Sequence, residues 1–183
     1  MRIYLMRHGL AGNRDAWQGD DRLRPLTDKG ERRIYAAADG LKALDLDVDA
    51  LLTSPLVRAR QTADIVGEAL NLRVEEYEAL APGFGLEQLA TLLTTYSTAR
   101  GLMLFGHEPD FSHVIGQLIA PGGDAQILMK KGACCALDLP EIPDASVSRE
   151  AAAAPEQHAS RRLTGRATLL WLMTARQLAR IAL

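Results

Sequence analysis

A chain of 183 residues, 48% hydrophobic and 24% charged, has the length and composition of a globular protein able to bury a substantial core. Its formal net charge of -2 argues against a nucleic-acid surface, and no apolar stretch approaches the length of a membrane span. The first apolar run is only a few residues long and ends on Arg7, which is unlike a secretory leader. Cys134 and Cys135 are adjacent. Neighbouring cysteines rarely bridge each other, so they read as free thiols in a reducing compartment, and their spacing offers no zinc site. The expectation is a soluble, cytoplasmic protein built as one domain over 1–183.

Ile3-Tyr4-Leu5-Met6 shows no polar alternation, as a strand covered on both faces should. It stops on Arg7-His8-Gly9, at the carboxyl end where open α/β sheets place their ligand crevice. Gly9 there lets the chain turn sharply or a ligand come close. Taken alone, the triplet is equally compatible with an arginine paired on the surface and a histidine packed in a loop. Leu10 to Leu26 is aperiodic and long for a connection, which suits either a substrate loop or a plain surface excursion. Thr27 is placed to cap a helix starting at Asp28, whose stripe is Ile34, Ala37, Leu41 and Leu44. Gly40 weakens that helix without breaking it.

Asp49 to Thr53 reads as the second strand. Ser54 is then expected to cap the next helix with Pro55 at its first position, the helix running to about Leu70. Arg58 falls in the first turn, where a cation opposes the helix dipole, so an anion or a carboxylate partner is expected beside it. Arg73 to Tyr77 is a short strand, and Leu86, Leu89, Ala90 and Leu93 mark a further helix. Gly101 to Phe105 is another continuous apolar strand, ending on Gly106-His107-Glu108-Pro109. Phe111, Ile115 and Leu118 form the stripe of the helix after it. Ala133 to Leu139 and Ala167 to Met173 are strands. The Pro140–Gly165 connection between them reads as a surface loop or short helix, and Arg176 to Leu183 as a short terminal helix.

Strand–helix–strand order implies right-handed crossovers between parallel neighbours. Three carboxyl ends then share one sheet edge and bring Arg7, His8, Arg58 and His107 together, with few obvious carboxylates to neutralise them. Guanidinium forks match phosphoryl oxygens, while imidazoles donate hydrogen bonds or attack phosphorus. Two histidines are too few ligands for a metal site, so neither metal nor cofactor is expected. A bound phosphate or sulfate is.

With these residues in order, the chain resembles the histidine phosphatase superfamily. Arg7-His8-Gly9 matches its first motif, Ser54-Pro55-Leu56-Val57-Arg58-Ala59-Arg60-Gln61-Thr62 its second, and Gly106-His107-Glu108-Pro109 its third. The likeness is greatest to the short bacterial phosphohistidine phosphatases of the SixA type, through compact length, Arg24-Pro25-Leu26-Thr27-Asp28-Lys29-Gly30 and Leu80-Ala81-Pro82-Gly83. It implies a phosphoglycerate mutase-like fold, a three-layer α/β/α sandwich around a central, mostly parallel sheet. It further implies that His8 is the nucleophile, with Arg7, Arg58 and His107 holding the phosphoryl oxygens.

Relatives that cleave phosphate esters also use an acid as proton donor. Glu78 and Glu108 are the candidates here, but the context of Glu78 matches the family poorly, and Glu108 can equally serve as a helix N-terminal acid. A missing acid fits an imidazole leaving group, with its reference pKa of ~6.5. The expected activity is therefore removal of phosphate from a phosphohistidine of a partner protein, as in a signalling phosphorelay. The alternatives are a phosphatase of small phosphomonoesters and a phosphate-binding regulator without turnover.

Overall fold

A computed structural model describes residues 1–122, 125–140 and 163–182. Six strands, β1 (Arg2–Arg7), β2 (Ala50–Thr53), β3 (Val74–Glu76), β4 (Gly101–Gly106), β5 (Cys134–Asp138) and β6 (Thr168–Met173), form one sheet in the order β3-β2-β4-β1-β5-β6. β1 pairs with β4, β4 with β2 and β2 with β3 in parallel; β5 and β6 close the other side antiparallel. The sheet is therefore mostly parallel, and β1, β4 and β2 are its central strands. The helices are α1 (Asp28–Ala43), α2 (Val57–Leu70), α3 (Leu86–Thr95), α4 (Asp110–Ile119) and the short α5 (Ala175–Leu178). None of the described helices is long and apolar enough to cross a membrane.

The unbroken apolar runs acquire their meaning from the two-residue period of a strand. In β1, Ile3 and Leu5 face an apolar cluster with Leu89, Leu92, Phe111 and Ile115 of α3 and α4. Tyr4 and Met6 face the opposite cluster with Ile34, Leu41, Ala63 and Val66 of α1 and α2. β4 repeats the division, Leu102 and Leu104 against Met103 and Phe105. A sheet apolar on both faces is stable only when both are covered, and three layers result. Cys134 and Cys135 are free and buried, one in each cluster, on opposite faces of β5.

Two local expectations change. Thr27 does cap α1, accepting from the Gly30 amide at 3.0 Å, but Ser54 and Pro55 stand before α2 rather than at its cap and first turn. The helix begins at Val57 with Leu56 as a cap that makes no side-chain bond, and the Ser54 hydroxyl is drawn towards His107 instead. The terminal helix is only Ala175–Leu178. The Pro140–Gly165 connection falls, over 141–162, outside the described residues.

Gly40 is more than a weak point in α1. A Cβ built there would stand 2.0 Å from the Leu178 carbonyl oxygen, so glycine is what lets α5 lie against the helix. Alanine is ordinarily the better helix former by roughly 1 kcal/mol. Gly40→Ala is nonetheless expected to lower the thermal unfolding midpoint, because α5 must be pushed off the Ile34–Leu41 face. A midpoint equal to or above that of the parent protein, measured by circular dichroism, would contradict this packing.

Candidate active site

The carboxyl ends of the three central strands are tied to one another by backbone bonds. The His8 amide donates to Gly106 O and the Ser54 amide to Phe105 O, each at 3.0 Å, so the ends of β1 and β2 are both fastened to β4. From the other side, Arg7 donates its amide to Ala133 O at 3.0 Å, and the Gly132 amide donates back to His8 O at 3.0 Å. Gly132 has φ +73, a left-handed conformation for which glycine carries no Cβ penalty. The turn it makes brings the 129–133 segment against β1, where Met129 O accepts from Arg7 Nη1 at 2.6 Å.

α2 supplies the remaining wall. Arg58, Gln61 and Thr62 are spaced i, i+3 and i+4 and lie on one face. Thr62 Oγ1 accepts from the Gly9 amide at 3.0 Å and donates to Arg58 O at 2.7 Å, while Gln61 accepts from the Leu26 amide at 2.8 Å. The second motif thus clamps the turn that carries His8. Gly9 itself is a packing residue, since an added Cβ would come within 2.7 Å of the Ile34 side chain.

Arg7, His8, Arg58 and His107 are brought together as the sequence leads one to expect. The His8 and His107 ring centroids are 5.3 Å apart, and His8, Arg58 and His107 are 7%, 5% and 4% exposed. His8 Nδ1 lies 2.8 Å from the carbonyl oxygen of Gly9. A carbonyl can only accept, so Nδ1 carries the proton and Nε2 keeps its lone pair. Burial, aided by the charges of His107, Arg58 and Arg7, lowers the His8 pKa to about 3. Burial and the Arg58 charge likewise lower His107 to about 4. His107 Nε2 shares a 2.8 Å hydrogen bond with Ser54 Oγ, which also accepts from the Leu56 amide at 3.3 Å. The hydroxyl keeps a second lone pair, so this bond is made by either tautomer of His107. His107 Nδ1, Arg7 Nε and Arg58 Nε are buried without a hydrogen-bond partner among the described residues, and a phosphoryl oxygen would supply one to an N–H there.

The aperiodic loop contributes a carboxylate that the sequence did not single out. Asp21, in a 3-10 turn over Asp21–Leu23, accepts from Arg58 Nη2 at 3.0 Å and from Arg24 Nε at 2.8 Å, and its backbone oxygen accepts from Arg58 Nη1 at 2.7 Å. The Arg24 hydrogen bond and the Arg58 charge hold its carboxyl below the usual value. Asp21 is the partner foreseen for a cation in the first turn of α2. Nothing in the loop's composition marked it out from Asp15 or Asp20, because the contact spans 37 residues.

The two candidate proton donors both make other contacts, and Glu108 also acts on Arg7 through its charge. Glu78 is exposed and paired with Arg22 at 3.0 Å. Glu108 accepts from the amide and the hydroxyl of Ser112, at 3.2 and 2.7 Å, over the first turn of α4. Among the described residues, no group of three or more His, Cys, Asp or Glu side chains is arranged to hold a metal ion.

Several known proteins are similar to the chain. A family model described as the histidine phosphatase superfamily (branch 1) matches residues 3–85. An uncharacterized protein of Picosynechococcus is 42% identical over 113 residues, covering 60% of this chain and 68% of its own. The phosphohistidine phosphatase SixA of Escherichia coli is 31% identical over 126 residues, covering 67% of this chain and 76% of its own. A solved structure of the protein histidine phosphatase SixA complexed with tungstate superposes with a TM-score of 0.74 at 25% identity, over 97% of this chain and 99% of that one.

The depressed His8 pKa has a measurable consequence. The imidazole ¹⁵N resonances of His8 in the unliganded protein should stay those of a neutral Nδ1–H ring until the pH nears about 3. The unfolded chain takes up that proton near ~6.5, so between the two values the unfolded state binds more protons than the folded one. Stability from His8 is therefore fully present above ~6.5 and is lost as the pH falls towards the folded value. A His8 titration midpoint near 6.5 would contradict the burial and the cationic surroundings described here.

Proposed function

Because the chain belongs to the histidine phosphatase superfamily, and is a phosphatase of that kind, we propose that it removes the phosphoryl group from phosphohistidine in a partner protein through a phosphoenzyme formed on His8. The observation that carries the reading is the state of His8: buried, neutral, with Nδ1–H fixed on Gly9 O and Nε2 free to attack. In the first step Nε2 forms a bond to phosphorus as the phosphorus–nitrogen bond to the substrate imidazole breaks. Arg7, Arg58 and His107 hold the phosphoryl oxygens and stabilise the charge that develops on them, through positioning and fixed electrostatics. In the second step water attacks the His8 phosphoramidate, releasing phosphate and restoring the imidazole.

The leaving group is inferred from the carboxylates. Asp21 is kept ionised by Arg24 and Arg58, Glu108 is occupied by Ser112 and Glu78 by Arg22. None of these three is placed as a free acid. An alkoxide leaving group would need one, whereas an imidazole of reference pKa ~6.5 can take its proton from solvent. The relative named a phosphohistidine phosphatase, matched at 31% identity, supports the same substrate class. A signalling phosphorelay, in the reducing interior that the two free cysteines suggest, is the proposed setting.

Rapid-quench mixing with a phosphohistidine substrate should yield phosphoprotein that is labile to acid and stable to base. His8→Ala should form none and lose turnover. Arg58→Ala should retain the intermediate but lower kcat/KM by about 10²–10³-fold, the scale set by removing one transition-state donor. Unimpaired turnover by His8→Ala would remove the mechanism. Efficient hydrolysis of sugar phosphates, with no action on phosphohistidine, would replace the substrate class with small phosphomonoesters.

A further inference from the structure

A groove of about 860 Å³ opens beside the pocket and shares Arg7 with it. Its other charged lining residues are all cations: Lys29, Arg32 and Arg33 on α1, Lys130 and Lys131 on the segment held by Arg7, and Arg176 on α5. Among the described residues no carboxylate lines it, and none of the six has an ion-pair partner. The chain carries 21 basic and 23 acidic residues, so this one-sided clustering is local and does not follow from composition. Lys29, Arg32 and Arg33 share one face of α1, and Lys29 lies in the first turn of that helix, where a cation is disfavoured by the dipole. Lys131 stands in the field of Arg7, Arg24 and Arg58, which lowers its pKa after burial has done so. Same-sign charge gathered against such opposition is unfavourable for the isolated fold, and an anionic partner would relieve it.

We propose that the groove is the docking surface for the acidic face of the phosphorylated protein, which is drawn in by charge and so presents its phosphohistidine to His8. The inference rests on the phosphohistidine reading above and adds the character of the partner. The exposure of the cations distinguishes this occupant from a small polyanion. All six are exposed at the surface, without the hydrogen bonds that hold the buried guanidinium of Arg58 and the half-buried one of Arg7. Such side chains act through their summed field and at the rim of a contact, which raises association rates and register more than it fixes one small ligand. Continuity with Arg7 sets the register: a partner lying in the groove has its edge at the phosphoryl pocket.

The test uses two peptides, each with one phosphohistidine, flanked in one by glutamates and in the other by lysines, together with phosphoimidazole. The parent protein should hydrolyse the acidic peptide with kcat/KM about tenfold above the basic one at low salt, the gap closing as salt is raised. Lys29→Glu/Arg32→Glu/Arg33→Glu, and separately Lys130→Glu/Arg176→Glu across the groove, should abolish or reverse that preference. Both should hydrolyse phosphoimidazole at the parent rate, which also shows that they fold. Equal use of the two peptides by the parent protein, or a preference surviving in both variants, would overturn the proposal. If phosphohistidine is not hydrolysed at all, the substrate reading fails, and docking is read separately from the fluorescence anisotropy of the unphosphorylated acidic peptide. Binding lost in both variants would support docking; its absence from the parent protein, or tighter binding to duplex DNA or phosphatidylserine vesicles through the same residues, would overturn it.

Discussion

The structure depends on holding two imidazoles and two guanidiniums together, mostly out of water, at one edge of a parallel sheet. Each is costly to bury charged, and the two arginines cannot lose their protons. The fold meets the cost unequally. The imidazoles give up their charge, with pKa values lowered to about 3 and about 4. Arg58 is matched by Asp21 and Arg7 by the Met129 carbonyl. What remains after this partial neutralisation is a site short of negative charge and hydrogen-bond acceptors, with three buried nitrogens that lack a partner among the described residues. A phosphoryl group supplies both.

The surrounding architecture can be understood as what keeps that cluster rigid. Parallel pairing of β1 and β2 with β4 puts three strand ends at one level, and the two apolar clusters fix the sheet between helices. α2 then works as a clamp as well as a crossover: Thr62 and Gln61 hold the backbone after His8 and before α1, while Arg58, bound to Asp21, stands in the surroundings of His8 and His107. A histidine aligned to about an ångström is of little use if the carbonyl that selects its tautomer moves. Gly9, whose carbonyl accepts from Nδ1, is the residue whose amide Thr62 secures.

The parts legible in the sequence were those written in local patterns. Strands without alternation, helices with apolar stripes and ordered motifs at strand ends led to the layers, to the parallel centre and to the meeting of Arg7, His8, Arg58 and His107. The parts hidden were long-range and polar. Ser54 satisfies the pattern of a cap, yet its hydroxyl goes to His107, 53 residues away. Gly40 looks like a flaw in α1 until the Leu178 carbonyl is seen against it. Asp21 sits in a loop with no period, among acids of equal standing, and its partner lies on another element. Local propensity cannot weigh such contacts, because the competing group is absent from the window in which propensity is read.

The same division bears on the reaction. The residue proposed as nucleophile follows from a motif at a strand end, but the leaving group it could displace depends on the carboxylates, whose states are set by tertiary contacts. Asp21 approaches the cluster closely and is unable to act as an acid because the arginines that bring it there keep it ionised. Glu108, one residue after His107, is taken by Ser112 at the start of α4. A carboxylate that neutralises and one that donates a proton are thus alternatives set by one environment: the positive charge that recruits an acid to this pocket also lowers its pKa. A pocket that gathers guanidiniums in this way is poorly suited to keeping a carboxylic acid protonated beside them, unless burial or a second carboxylate intervenes. Here the loop provides the neutraliser, and the proposed imidazole leaving group is one that needs little help from an acid.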